Sequence, residues 1–264
     1  MKKLLTLALA LIGAMSMNVR AELFGGACGA ALTWSLDTDK GILEIKGAGL
    51  MTEYSRFQGA PWYKQREYIK QVSLPEGLLS ISPYAFDGCV NLEALIIPEK
   101  VLTIGEAAFQ ECSQVSELII PKNVTQIEGR TFNKCKALKR IVLPETIISI
   151  GEYAFSGCRQ LEELMLPEAL LTIERYAFDN CDQLKTIVFP AKLQTLSYGI
   201  FYDCDVLASI TCKPLTPPTT ESSRNPFDGL SQLTNIRLFV PKEAVKAYQA
   251  SEYWGKFAEI LPIE

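Results

Sequence analysis

Histidine is absent from all 264 residues. That excludes the Cys-His and Ser-His nucleophile systems and the usual histidine-bearing zinc sites. Closely spaced cysteines are scarce as well. Cys89, Cys112, Cys135, Cys158, Cys181 and Cys204 follow one another at 23-residue intervals, far from the C-x-x-C spacing of a Cys-only zinc site. There is no phosphate-cradling glycine loop, because Gly47 and Gly49 close a hairpin with no helix behind them. Asp37 and Asp39 open like a calcium loop, yet Ala48 stands where the closing glutamate belongs. Paired carboxylates, the minimum for a glycosidase, are poorly placed. Glu162 and Glu163 are neighbours on a strand and point to opposite faces, while Glu117 and Glu163 share a face but lie two repeats apart with Arg140 between them. That is the pattern of a charge ladder on a sheet. The expectation is a chain with no catalytic residues, no metal and no cofactor, and not an enzyme.

Excess positive charge is missing too. Lys and Arg number 26 against 30 Asp and Glu, a net charge of −4. Nucleic-acid partners, which call for clustered Lys and Arg, are excluded on this ground. The one apolar run of note is Leu4 to Met15, preceded by Lys2 and Lys3 and followed by Val19-Arg20-Ala21. It is too short for a membrane span, and it has the charge, core and small-residue cut of an export leader over residues 1–21. Removal of that leader takes away Lys2, Lys3 and Arg20 and moves the net charge to −7. A secreted, cell-surface or periplasmic location follows as the expectation.

What the chain has is a period. Phe86, Phe109, Phe132, Phe155, Phe178 and Phe201 keep the same 23-residue step as the cysteines, and Pro75, Pro98, Pro121, Pro144, Pro167 and Pro190 keep it too. Such self-similarity marks a solenoid, in which each repeat packs the same side chains on its neighbour. In the unit Val90–Cys112, Leu92, Leu95 and Ile97 give an L-x-x-L-x-L strand pattern, which turns Leu95 and Ile97 inward and Ala94 and Ile96 outward. Pro98 ends the strand, and Val101 and Ile104 form a second buried stretch before a short helical or 3₁₀ turn carries the phenylalanine inward. The six phenylalanines and six cysteines are expected to form a structural ladder, the cysteines as buried free thiols, because parallel stacked side chains rarely meet the torsion of a disulfide.

This pattern resembles the BspA-like leucine-rich repeat proteins of Bacteroides-type bacteria, whose repeats read "IP…V..IG..AF..C..L". Here Leu143 to Leu161 reads LPETIISIGEYAFSGCRQL. The resemblance implies a right-handed leucine-rich-repeat solenoid of 23-residue units in the α/β repeat class, and a role in adhesion to host matrix or bacterial surface proteins. The domain reading is an N-terminal cap over residues 22–69 (a hairpin plus a short helix), repeats over 70–240, and a C-terminal cap helix over 241–264 built on Ala244, Val245, Tyr248, Tyr253, Trp254 and Phe257. Caps are required because a stack of repeats leaves an apolar face open at each end. A loop from Lys213 to Asn225 is expected to bulge from one edge.

The outward strand column runs Ile96, Ile119, Val142, Met165, Val188, apolar where solvent-facing positions are commonly polar. Beside it run Ala94, Glu117, Arg140, Glu163 and Thr186. An exposed apolar stripe with a charged border marks an interface. The expected site is therefore this sheet face, with the five apolar residues making contact and Glu117, Arg140 and Glu163 setting specificity for an extracellular or surface protein. Two alternatives are carried: a glycan-binding module using Tyr198 and Tyr202, and a structural part whose stripe makes a homodimer.

Overall fold

The computed structural model describes residues 23–220, 224–230 and 233–263; the leader expected at 1–21 lies outside them. Each repeat contributes a rung to two parallel ladders. On one side Glu117–Ile119 pairs with Arg140–Val142 and Thr186–Phe189 with Ser209–Cys212. The register matches residues 23 apart, so Leu118 lies beside Ile141 and Ile119 beside Val142. On the other side Gln126–Ile127, Ser149–Ile150, Thr172–Ile173 and Thr195–Leu196 pair in turn with the same offset. Period-2 alternation puts Leu95, Leu118, Ile141, Leu164 and Ile187 inside along the first ladder, and Ile104, Ile127, Ile150, Ile173 and Leu196 inside along the second.

The third side of each coil is a run of turns rather than helix. Ala85 donates to Ser82, Asp87 to Tyr84 and Cys89 to Phe86, all i→i−3 bonds, while Phe86 donates to Ala108 of the next coil at 2.8 Å. The pattern repeats down the stack: Phe109 donates to Thr131 and Phe132 to Ala154. The coil thus closes locally and bonds to its neighbour through alternate amides. The sole α-helix among the described residues is Val245–Gln249.

The rings fill the core between coils. Phe86, Phe109, Phe132, Phe155, Phe178 and Phe201 stack with centroids 5.5–5.8 Å apart. Trp62 takes the next place at 5.8 Å, its indole N–H donating to Ala85 O at 2.7 Å. The cysteines have a definite task. Cys112 Sγ–H donates to Phe86 O at 3.3 Å, Cys135 to Phe109 O at 3.2 Å, Cys158 to Phe132 O at 3.2 Å and Cys204 to Phe178 O at 2.9 Å. A thiol is small and apolar enough for the core yet satisfies a buried carbonyl of the preceding coil. All eight cysteines are buried and free.

One turn position has a left-handed backbone in every coil: Gly88, Glu111, Lys134, Gly157, Asn180, Asp203 and Gly229. At Gly157, φ is +74° and an added Cβ would stand 3.3 Å from Lys134 Cα. Gly157→Ala is therefore expected to cost about 1–2 kcal/mol, measured as the shift in urea midpoint.

Both ends differ from the sequence reading. At the front, a strand not anticipated, β1 (Leu23–Gly29), pairs antiparallel with β2 (Leu32–Asp37), which pairs with β3 (Ile42–Gly49). β3 passes parallel pairing on to Gln71–Ser73, so the hairpin is a graft onto the first ladder. At the back, the expected single helix is instead two 3₁₀ turns and the five-residue helix, followed by a strand, Glu259–Pro262, paired with Arg237–Val240. A continuous helix is prevented because Tyr248, Trp254 and Phe257 must each reach the open end of the core. Trp254 packs edge-on against Phe227 at 4.8 Å and against Phe189 at 6.4 Å. The loop from Lys213 onward does not bulge freely. Thr219 bridges to Thr195, Leu196 N–H donates to Thr219 O, and Pro214 and Pro218 are buried, so the segment supplies a rung of the second ladder. Residues 221–223 lie outside the described residues.

Candidate protein-binding face

Alternation that buries Leu95, Leu118, Ile141, Leu164 and Ile187 turns their neighbours outward. Ile96, Ile119, Val142, Met165 and Val188 are all exposed, Ile96 at 84% and Met165 at 86%. They form one row along the first ladder, since Val142 lies in register with Ile119 and Val188 with Thr211. The row runs further than the repeat pattern foretold. Thr211 is in register with Phe239, and Phe239 with Leu261 of the final strand. Both are half-exposed. The segment Arg237-Leu-Phe-Val-Pro repeats the character of Arg140-Ile-Val-Leu-Pro, the signal that points to Phe239; Leu261 follows only from the unanticipated strand.

The neighbouring column is polar. Arg140 lies in register between Glu117 and Glu163, and the same column continues to Thr186, Ser209, Arg237 and Glu259. Glu117, Arg140 and Glu163 are exposed. Arg140 takes no part in the ion pairs formed among the described residues, which gather elsewhere, as at Arg130 with Glu106 and Glu152. Alternating charges at strand spacing, each solvated, are available to a partner. A hollow of about 260 Å³ opens on this face between Ile96 and Ile119, rimmed by Glu99 and Glu117.

The tyrosines expected to serve a glycan are occupied. The Tyr198 hydroxyl donates to Asp228, its ring meets Tyr176 edge-on at 5.3 Å, and the Arg224 guanidinium lies 5.5 Å from its centroid. Tyr202 rests on Gly229, where any added Cβ would clash with the ring. Tyr198 lines a hollow of about 670 Å³ together with Tyr176 and Arg224, and Tyr202 keeps 37% of its surface exposed. No helix among the described residues is long and apolar enough to cross a membrane.

The BspA-type leucine-rich repeat region matches in six copies, over residues 61–162 and 125–249. The chain belongs to this family. Among solved structures, a Treponema pallidum leucine-rich repeat protein is similar at 26% identity with a TM-score of 0.52, covering 71% of this chain and 79% of that one. A Bacteroides ovatus leucine-rich repeat protein is 19% identical with a TM-score of 0.48, covering 90% of this chain and 76% of that one. A leucine-rich cell surface protein of Faecalibacterium prausnitzii is 16% identical with a TM-score of 0.42, covering 91% and 95%. Comparison with curated proteins gave no match. As a BspA-type repeat protein the chain adds one rung to a long face with each coil.

Proposed function

We propose that this protein is exported and binds another protein, on a host or bacterial surface, through the row of Ile96, Ile119, Val142, Met165 and Val188. The exposure of that row carries the reading. Five aliphatic or methionine side chains stand in water in adjacent rungs, whereas an unpartnered surface scatters its apolar residues singly. Burying such a row supplies the association energy; the Glu117–Arg140–Glu163 column fixes register and discriminates partners through charge complementarity. The apolar leader at residues 1–21 supports export, and the family resemblance supports adhesion.

The test is retention of proteins from matrix and bacterial-surface extracts by the protein and by an Ile119→Glu/Met165→Glu double variant. Both side chains are exposed, so the fold should be kept within about 0.5 kcal/mol per site. The expected result is a partner retained by the first and reduced at least tenfold with the second. Equal retention by a folded double variant would remove the function from this face. A stable dimer in light scattering that dissociates in the double variant would make the row a self-association surface instead.

A further inference from the structure

The hollow between Ile96 and Ile119 sits where the first ladder lapses. One coil further on, Ile120 N–H donates to Val142 O and Arg140 N–H to Ser116 O. The equivalent bonds here, Ile97 to Ile119 O and Glu117 to Glu93 O, are not formed among the described residues. Ala94–Leu95 pairs only with Gln71–Ser73 behind it, and Glu117–Ile119 only with Arg140–Val142 ahead. The recess of about 260 Å³ opens at this break.

Its lining carries charge of one sign. Ile96, Ile97, Leu118 and Ile119 give aliphatic walls, and Glu99 and Glu117 are its charged side chains. Both glutamates are exposed, and neither carboxylate enters an ion pair among the described residues. Two cations stand next to them along the stack, Arg140 in register with Glu117 and Lys122 one 23-residue step from Glu99. Neither lines the hollow or pairs with its glutamates. Ile97 N–H and Ile119 O, left over by the lapse, are one neutral donor and one neutral acceptor, so they do not offset the negative charge.

We infer that this hollow seats an arginine or lysine side chain of the protein bound by the sheet face, an inference that rests on the reading of that face proposed above. Such a side chain is apolar along its stem and charged at its tip. The stem covers Ile96 and Ile119, exposed at 84% and 66%, while the tip meets the two carboxylates. The hollow is smaller than the roughly 300–1,000 Å³ of small-molecule sites. It has room for one side chain, and it continues the apolar row on which the rest of the partner lies. A wholly apolar side chain placed there takes water from two carboxylates and gives nothing back. An acidic one adds a like charge, so the hollow also rejects partners.

Nα-acetyl-arginine methylamide, titrated into the whole protein with carbon-13 isoleucine methyls, tests this beside its citrulline counterpart, which keeps the shape and loses the charge. The arginine probe should shift the Ile96 and Ile119 methyls saturably, in the millimolar range open to so few atoms. The Ile148 methyl, on the second ladder, should stay. Glu99→Gln/Glu117→Gln, two surface changes that leave the core alone, should weaken the arginine probe about tenfold, the scale of two exposed charge pairs. Equal binding of the citrulline probe, no saturable shift, or undiminished binding by the folded glutamine variant would each overturn the inference. Retention from matrix and bacterial-surface extracts separates it from the reading it rests on. Partners lost with Ile119→Glu/Met165→Glu but fully kept by Glu99→Gln/Glu117→Gln would leave the face standing and remove the cation site. Partners kept by both variants would remove the face, and this inference with it.

Discussion

Phe132→Ala should lower the unfolding free energy by about 3–5 kcal/mol, the cost of deleting a fully buried ring and leaving a cavity. Phe132 is completely buried and stacks at 5.8 Å on Phe109 and 5.5 Å on Phe155, so the change removes two ring–ring contacts along with the ring. For a chain of this size the melting temperature should fall by roughly 10 °C. The larger consequence is for cooperativity. In a solenoid each coil touches only its neighbours, so stability is a sum of coil and interface terms. Weakening one central interface divides the chain into two blocks. Trp34 and Trp62 report on the front and Trp254 on the back, which makes the division visible. Tryptophan fluorescence and far-ultraviolet dichroism in urea should give coincident transitions for the parent protein and separated ones for the variant. A single transition, destabilised by less than 1 kcal/mol, would show that the phenylalanine stack is not what couples the coils. Phe132→Leu, which keeps most of the apolar volume, should cost markedly less.

That stack was legible in the sequence because a solenoid repeats its environment. Phe109 and Phe132 occupy equivalent places, so identical residues recur, and the inward and outward positions of Leu95 and Ile96 follow from alternation alone. Legibility failed where repetition stops. β1 carries Leu23-Phe-Gly-Gly-Ala-Cys-Gly, whose glycines hide any strand periodicity, and it is held by pairing with β2 rather than by propensity. At the other end, Ala244, Val245 and Tyr248 have helical spacing, but Trp254 and Phe257 fall six and nine residues past Tyr248, off that face, and the segment breaks into turns and a strand. The candidate face divides in the same way. Ile96 to Val188 came from the period, whereas Phe239 and Leu261 depend on where the last two rungs fall. The carbonyl-bound state of the thiols was also unforeseen; the period predicted burial, and the geometry added the acceptor.

The thiols should make this protein unusually sensitive to alkali. Burial raises the pKa of Cys28 to about 11 and of Cys135 and Cys212 to about 12, and holds Cys89, Cys112, Cys158 and Cys181 higher than an exposed thiol. In the unfolded chain they ionise near ~8.5. The folded state therefore keeps protons that the unfolded state releases. Stability is fully present below the unfolded value and is lost as pH rises toward the folded values. Between about pH 9 and 11 each deeply buried thiol removes up to about 1.4 kcal/mol per pH unit. Cys89 to Cys181 and Cys212 all shift in this direction, so their contributions to the loss of stability have the same sign. The urea midpoint should be level from pH 6 to 8 and collapse before pH 10.5. Replacing Cys135 and Cys158 with alanine removes two of the titrating groups, so the fall of the midpoint with pH should become shallower, even though two thiol–carbonyl bonds are lost. At pH 8 the same burial should keep the native protein almost silent toward Ellman's reagent, with all eight thiols reacting once it is denatured. A midpoint that holds level to pH 10.5, or several thiols reacting in the native state, would mean that water reaches the ladder and that the coils breathe apart along it.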